Sequence, residues 1–215
     1  MASISEAIGL ALPGSASPPA EDDRREKIVY DTGKACVRLL EQNIKPREIL
    51  TFEAFENAIT MLNAVGGSTN GILHLLALSN EVGIKLTYDD FERVRKKTPH
   101  LADMKPGGNY VMNSLDKIGG IPFVLKKLAE RKLIHDNCMT VTGRTIRENL
   151  ASMNIPEPVQ QIVRSVDNPI HSVGTAVVLK GSLAPDGAVI KTAGVEMTKF
   201  TGKARVYDRE EYAFD

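Results

Sequence analysis

Apolar residues recur with helical spacing through most of the first 160 residues. The clearest case begins at Thr51, which is predicted to cap a helix. Leu50 before this cap and Phe55 four residues after it form a hydrophobic staple. The apolar positions that follow fall on one side of the helix and predict its buried face: Phe52, Phe55, Ile59, Leu62 and Val65.

A second strongly signalled helix starts in "KLTYDDFERVRKKTP". Thr87 is its predicted cap, and Asp90, three residues later, is the acid of a capping box. Leu86 and Phe91 supply the staple. The basic residues 95–97 complement the negative end of the helix dipole, so they are interpreted as a solvated helix end.

Two further apolar segments are predicted to be helices with buried sides. In "KIVYDTGKACVRLLEQNI" the apolar stripe includes Cys36, which favours a core cysteine over a reactive thiol. "GILHLLALSNEVG" is apolar on most sides, as expected of a helix packed in an interior. His74 in that run is therefore interpreted as a core histidine, with a ligand or a base as the alternative.

The last two helices of this part have recognisable starts. "IPFVLKKLAERKLI" carries Pro122 near its first turn, where a missing N–H costs nothing. "NCMTVTGRTIRENL" predicts a short strand, a turn at Gly143, and a helix capped by Thr145 with Glu148 as capping-box partner.

The pattern changes near Ile155 from helical spacing to β-branched runs. "TAVVLKGSLAPDGAVIKTAGV" predicts two strands joined through a turn at residues 185–187, and a further strand pair is predicted around Thr201 and Gly202. The fold class is therefore α/β, with a link near "RSVDNPIHSVG" between residues 1–163 and residues 164–215. The second part is too short to close its own sheet edges and core.

Composition removes several classes of function. The chain has 27 basic and 27 acidic residues, scattered rather than banded, which argues against a nucleic-acid partner. No apolar run approaches the roughly 20 residues of a membrane helix. The first 20 residues carry Glu6 and no base before Arg24, unlike a targeting peptide. The two scattered cysteines predict a reducing, cytoplasmic setting.

The cysteines suggest no chemistry of their own. Cys36 and Cys138 lie far apart, with no second Cys or His at metal-ligand spacing. Neither a disulfide framework nor a metal site is predicted from them.

The candidate binding segment interrupts a helical pattern in "NAVGGSTNGILHLLAL". Small residues and free backbone N–H groups just before a helix suit an anion or a substrate oxygen. The alternative is a plain helix–helix corner capped by Ser68 or Thr69. The loops "MKPGG", "GGIP" and "LPGSAS" are candidates for contact with the active site in the same sense, with a plain loop as the alternative. The candidate substrate-binding residues are Gly66, Gly67, Ser68, Thr69 and Asn70.

Five blocks along the chain resemble one family, the dihydroxy-acid dehydratases. They are "MASISEAIGLALPGSAS", "ILTFEAFENAITMLNAVGGSTN", "TPHLADMKPGGNYVMNSLDKIGGIP", "TVTGRTIRENL" and "LKGSLAPDGAVIKTAGV". The related sugar-acid and 6-phosphogluconate dehydratases remain the alternative branch, although "FEAFENAIT" and "GSLAPDGAVIK" favour the dihydroxy-acid branch. Members of this family are much longer than 215 residues.

The resemblance implies a fold and a reaction. It assigns the chain to the later part of a helix-rich α/β/α domain followed by the first strands of a β-barrel-like domain. The family removes water from small 2,3-dihydroxy acids to give 2-oxo acids in valine and isoleucine biosynthesis, as homodimers or larger homo-oligomers.

The resemblance also implies which groups this chain lacks. The family's iron–sulfur cluster, its Mg²⁺ ion beside a carbamylated lysine, and its proton-abstracting serine are held by segments that have no counterpart here. Cys36 and Cys138 do not match the ligand positions. No catalytic residue and no metal ligand are therefore predicted in this chain, which is expected to be inactive alone. A non-catalytic scaffold or anion-binding module is the other hypothesis.

Overall fold

The computed structural model describes residues 1–195 and 199–214. Within these residues the chain forms ten helices and one two-stranded antiparallel sheet. The helices are α1 (Ala2–Ala7), α2 (Arg24–Glu41), α3 (Pro46–Ile49), α4 (Phe52–Ala64), α5 (Asn70–Val82), α6 (Tyr88–Lys97), α7 (Met112–Lys117), α8 (Gly120–Glu130), α9 (Ile146–Ser152) and α10 (Glu211–Phe214); the strands are β1 (Ala176–Gly181) and β2 (Ala184–Lys191).

Helix α4 forms the centre of the core, with ten of its thirteen residues buried. The predicted start is confirmed, because the Thr51 hydroxyl accepts a hydrogen bond from the Ala54 N–H at 3.3 Å. Leu50 and Phe55 of the staple are both buried. Helices α1, α5 and α6 pack around α4, so the helix is covered on more than the one face that its spacing predicted.

The capping boxes of α6 and α9 are also confirmed. The Asp90 carboxylate accepts from the Thr87 N–H at 3.0 Å and from its hydroxyl at 2.7 Å. In α9, Glu148 accepts from the Thr145 N–H at 2.8 Å, and the Thr145 hydroxyl accepts from the Glu148 N–H at 3.2 Å. These starts follow from side chains three residues apart, which is why local sequence predicts them.

The basic end of α6 differs in part from the prediction. Lys96 and Lys97 are exposed, as expected of a solvated helix end. Arg95 instead pairs with Glu92 at 2.6 Å and donates to the Gly174 carbonyl at 3.1 Å. This arginine therefore ties the last turn of α6 to the segment just before β1.

The prediction that Cys36 lies in the core is wrong. Helix α2 forms where expected, but Cys36 is exposed and Ala35 is the buried residue of this helix. The helix lies on the surface, and its apolar positions fall on two sides, of which the body of the protein covers one. Spacing alone cannot show which side is covered.

The interior position predicted for α5 is also wrong. This helix packs through the side that carries Gly71, Ile72 and Leu75, which are buried. Leu73 is 63% exposed, and His74 is exposed rather than a core histidine. Leu76, Leu78 and Val82 are half-buried against the same core. The helix is therefore covered over part of its surface, and the side that carries Leu73 and His74 faces outward.

Strands β1 and β2 form the predicted hairpin, but its turn lies earlier. Gly181 pairs with Ala184, so residues 182–183 form the turn, and residues 185–187 belong to β2. A register irregularity between Leu179 and Gly181 accompanies the early closure. Pro185 is tolerated because one side of each strand in a two-stranded sheet is an open edge.

Other predicted strands are not found among the described residues. The segment 199–207 has no regular strand, so the pair predicted around Thr201 and Gly202 is wrong. The strand predicted before Gly143 is reduced to an isolated bridge between Met139 and Thr145. The resemblance implies an α/β/α domain, but within residues 1–160 parallel pairing is limited to an isolated bridge between Met104 and Tyr110.

One hydrophobic core extends from the helices to the hairpin. Val163 and Ala176 are buried in it, and Val178 and Val189 pack against it from the two strands. The α/β class is confirmed: a helix-rich part is followed by the first strands. In the described part of the chain no helix is both long and apolar enough to cross a membrane.

Candidate functional site

The break between α4 and α5 is a Schellman turn, which explains its first glycine. The Gly66 N–H bonds to the Asn63 carbonyl at 3.3 Å, and the Gly67 N–H bonds to the Leu62 carbonyl at 2.8 Å. Gly66 has a φ of 60° in the left-handed region that glycine adopts without strain. We call residues 66–70 the glycine corner.

The other half of the glycine corner starts α5. Ser68 accepts a hydrogen bond from the Asn70 N–H at 3.3 Å, so Ser68 and not Thr69 supplies the side-chain oxygen. Ser68 and Asn70 are exposed. Among the described residues no acceptor contacts the N–H groups of Ser68 and Thr69. These two N–H groups at the positive end of a 13-residue helix can bind an anionic group.

The surroundings of the glycine corner come from the middle and the C-terminal part of the chain. A Cβ added to Gly66 would lie 2.7 Å from His100 Nε2 and 3.5 Å from the Ala193 Cβ. A Cβ added to Gly107 would lie 2.8 Å from the Ala193 carbonyl carbon. The glycine corner and the "MKPGG" loop therefore meet the segment that follows β2.

The two remaining candidate loops meet each other instead. A Cβ added to Gly120 of "GGIP" would clash with the Ser17 hydroxyl oxygen of "LPGSAS". A Cβ added to Gly14 of "LPGSAS" would lie 4.0 Å from Pro122 Cγ, at ordinary van der Waals distance. The four loops thus form two pairs, of which one includes the glycine corner.

His100 is the residue of this site that the sequence did not reveal. Its ring is 5% exposed and stacks on His171 with 5.3 Å between centroids and 17° between planes. Burial and the neighbouring His171 lower the pKa of His100 to about 4, so the ring is neutral at pH 7. No histidine periodicity or motif marks this position, which explains why it was missed.

Two buried polar atoms in this region lack protein partners in the described structure. They are Nδ1 of His100 and the hydroxyl oxygen of Thr175. Buried polar groups are usually satisfied, so such atoms call for water or a ligand group. Lys191, at the end of β2, has its pKa lowered by burial.

Asn63 fixes the hairpin to the glycine corner. Its side-chain NH₂ donates to the Ile59 carbonyl at 2.9 Å, and its Oδ1 accepts from the Ala176 N–H at 3.1 Å. One buried amide on the last turn of α4 therefore sets where β1 starts.

The second loop pair is organised by Glu6. Its carboxylate is 3% exposed and accepts hydrogen bonds from the N–H groups of Gly14 at 2.7 Å and Ala16 at 3.1 Å. Burial raises the pKa of Glu6 to about 7, although the two hydrogen bonds oppose the shift. This group holds the "LPGSAS" loop in place.

The residues present do not fit an iron–sulfur cluster or a magnesium ion. Cys36 is exposed on α2, whereas Cys138 is buried and burial raises the pKa of its thiol to about 11. Thiolates are the ligands of such clusters, and a thiol of that pKa stays protonated. No three His, Cys, Asp or Glu side chains of the described residues come together as metal ligands.

Two family models match the chain in order. The model described as dihydroxy-acid/6-phosphogluconate dehydratase N-terminal covers residues 1–149, and the C-terminal model of the same family covers residues 161–215. Gly66 lies in the first match and Ala193 in the second. The glycine corner is therefore a meeting point of the two matched regions.

The chain is also similar to curated proteins named dihydroxy-acid dehydratase. It is 59% identical to the protein of Saccharolobus solfataricus, 57% to that of Sulfolobus acidocaldarius and 55% to that of a Nocardioides species. In each case the similarity covers 215 residues, which is 100% of this chain and 38% of the relative. The chain thus spans well under half the length of these relatives.

Proposed function

The chain belongs to the dihydroxy-acid/6-phosphogluconate dehydratase family, and from that premise we propose that it is a segment of a dihydroxy-acid dehydratase. The observation that carries the proposal is the identity of 55–59% with proteins of that name along all 215 residues. The whole protein would act in valine and isoleucine biosynthesis, in the cytoplasm and as a homo-oligomer. In this proposal residues 1–163 belong to the α/β domain of the whole protein, and residues 164–215 begin its β-barrel-like domain.

The proposed reaction is loss of water from a 2,3-dihydroxy acid. A base removes the proton on C2, and the C3 hydroxyl takes up a proton and leaves as water. The resulting enol becomes the 2-oxo acid when C3 gains a proton and the C2 hydroxyl loses one. The described residues do not fit the metal groups implied for the family, so we assign no step through those groups to this chain. Its proposed role is to build one wall of the substrate pocket.

We assign that wall to the glycine corner. The N–H groups of Ser68 and Thr69 can donate hydrogen bonds to the substrate carboxylate. Neutral His100 lies against Gly66 and adds a polar ring without a competing positive charge. Pockets form preferentially where domains meet, and here the two matched regions are in contact.

The N–H of Thr69 can be removed without disturbing its backbone angle. Thr69 has a φ of −57°, which proline adopts. In the full-length enzyme we expect Thr69→Pro to raise the KM for the dihydroxy acid roughly tenfold or more, since a hydrogen bond to a charged group contributes about 1.5–3 kcal/mol. Thr69→Ala is the matched control, because it removes the same side chain and keeps the N–H.

The result against this assignment is a Thr69→Pro enzyme with an unchanged KM and a normal melting temperature. An equal rise in KM in Thr69→Pro and Thr69→Ala would show that the effect comes from loss of the side chain and not from loss of the N–H. Formation of 2-oxo acid from 2,3-dihydroxyisovalerate, compared with sugar acids, tests the reaction itself. A full-length protein that prefers sugar acids would contradict the proposed substrate class.

A further inference from the structure

Helix α2 has an apolar row that faces away from the protein. Its inner side is formed by Ala35, which is buried, with the half-buried Ile28 and Leu39. On the outer side Tyr30 is 69% exposed, Val37 is 56% exposed and Leu40 is 82% exposed. Single exposed apolar residues are ordinary, but a contiguous row marks an interaction surface.

The outer row has the spacing of a helix pair. Tyr30, Gly33, Val37 and Leu40 follow one another at intervals of three, four and three residues, as the a and d positions of a heptad do. We call these four residues the α2 seam. A helix with apolar rows on both sides is normally covered on both.

The surface around Gly33 is shaped to receive a side chain. A groove of about 470 Å³ runs over it, lined by Val29, Tyr30, Gly33, Lys34, Val37 and Arg38. A Cβ added to Gly33 would meet nothing within 4 Å. The groove is thus open at its centre and bordered by apolar side chains.

We propose that the α2 seam pairs antiparallel with the α2 seam of a second copy of this chain, about a two-fold axis that crosses the seam midway between Gly33 and Val37. This inference rests on the proposed homo-oligomer and identifies its contact surface. In such a pair Tyr30 faces Leu40 of the second copy, and Val37 enters the groove over Gly33 of the second copy. Each contact occurs twice by symmetry.

The charges beside the seam agree with the antiparallel pairing. Lys27 and Glu41 lie on the same flank of α2, two heptads apart, so each faces the opposite charge on the second copy. Lys27 also forms an ion pair with Asp31 of its own helix, at 2.5 Å. Lys34, between Lys27 and Glu41, faces the like charge of Lys34 of the second copy. The Lys34 ammonium instead has a partner within its own helix, since it lies 5.6 Å from the centre of the Tyr30 ring. A two-fold match of this kind favours a second copy over an unrelated partner segment.

Cys36 lies on the opposite flank, one residue from the proposed axis. It is exposed, whereas Cys138 is buried. The pairing therefore places two exposed thiols, one from each copy, near each other across the axis. This position provides a chemical readout of which surface forms the contact, in addition to the mass of the assembly.

The first test measures the mass of the 215-residue chain by sedimentation velocity over a range of concentrations. We expect a dimer whose dissociation constant rises at least tenfold in Val37→Lys, because the new charge would be enclosed beside Lys34 and Arg38. Lysine is a better helix former than valine, so α2 itself should remain. Val159→Lys is the control, since Val159 is fully exposed outside the seam.

The second test uses a short bismaleimide to join thiols. We expect a covalent dimer of the wild-type chain that is lost in Cys36→Ser and in Val37→Lys but kept in Cys138→Ser. A monomeric wild-type chain would overturn both the homo-oligomer and the seam. A dimer that Val37→Lys leaves intact and that Cys36 does not cross-link would overturn the seam alone. That outcome would indicate that another segment of a longer protein covers α2.

Discussion

At the scale of single residues, Glu6 makes the stability of the folded chain depend on pH. Its pKa in the folded chain is about 7, against 4.5 for an ordinary glutamate. The folded chain therefore holds this proton more tightly than the unfolded chain does. The stabilising contribution is complete below about pH 4.5 and is lost as the pH rises to about 7, by roughly 3 kcal/mol in total.

The variant Glu6→Gln should remove this part of the pH dependence, because glutamine does not titrate. Urea unfolding between pH 4.5 and pH 8 measures it as the slope of the unfolding free energy against pH. We expect a flatter slope in Glu6→Gln than in the wild-type chain. Glu21→Gln, at an exposed position, should leave the slope unchanged. Parallel curves for the wild type and Glu6→Gln would contradict the burial argument.

Gly66 is constrained by its left-handed backbone angle and by its close approach to His100, and Gly83 is a control that has only the first constraint. Both Gly66 and Gly83 have left-handed φ angles, 60° and 80°, but a Cβ at Gly83 would meet nothing within 4 Å. We expect Gly83→Ala to cost about 1 kcal/mol from backbone strain. Gly66→Ala should cost more, because its Cβ would also lie 2.7 Å from His100 Nε2.

A double-mutant cycle with His100→Ala isolates that contact. If the two side chains compete for space, Gly66→Ala should cost less in the His100→Ala background than in the wild type. Denaturant unfolding of the four chains supplies the comparison. Equal costs in both backgrounds would show that strain at Gly66 is the whole effect.

Residue-level chemistry was predictable where it depends on neighbours in sequence. The caps at Thr51, Thr87 and Thr145 were found because each acts on a group three residues away. The exposure of Cys36 and the burial of His100 could not be predicted in this way, because both depend on segments distant in sequence. The contact of the glycine corner with His100 is likewise set by the tertiary fold.

At the scale of elements, the hairpin shows how distant contacts override local turn chemistry. Residues 185–187 have turn-forming side chains, yet they lie within β2. The strands are held in place by Asn63 at the start of β1 and by Tyr88 of α6, whose ring would lie 3.1 Å from a Cβ on Gly187. Sequence therefore predicted the two strands but misplaced their turn.

Asn63 should control the stability of this hairpin more than that of the helix that carries it. Asn63→Ala leaves the Ala176 N–H buried without an acceptor, at a cost of about 1–3 kcal/mol. Hydrogen exchange should show greater loss of protection in residues 176–191 than in α4. Asn80→Ala, at an exposed position of α5, is the control. Uniform loss of protection across the chain would contradict a local role.

At the scale of the whole molecule, the order of helices followed by strands was readable from sequence because it reflects local periodicity. The sequence did not predict how far the hydrophobic core extends. Val163 and Ala176, on either side of the predicted link, are buried in the same core as the helices. The uncovered side of α2 was missed for the same reason: an apolar row shows that a surface needs cover but not what provides it.

The last prediction concerns metal loading of the isolated 215-residue chain. Cys36 is exposed and Cys138 is buried with its thiol pKa raised to about 11, so the two cysteines cannot serve together as thiolate ligands. Anaerobic reconstitution with iron and sulfide should therefore give sub-stoichiometric loading that a chelator removes. Cys36→Ser and Cys138→Ser should load to the same low level, because neither thiol belongs to a ligand set. A stable, stoichiometric cluster that either substitution abolishes would contradict this account, since it would require the two cysteines to be brought together by a fold different from the one described.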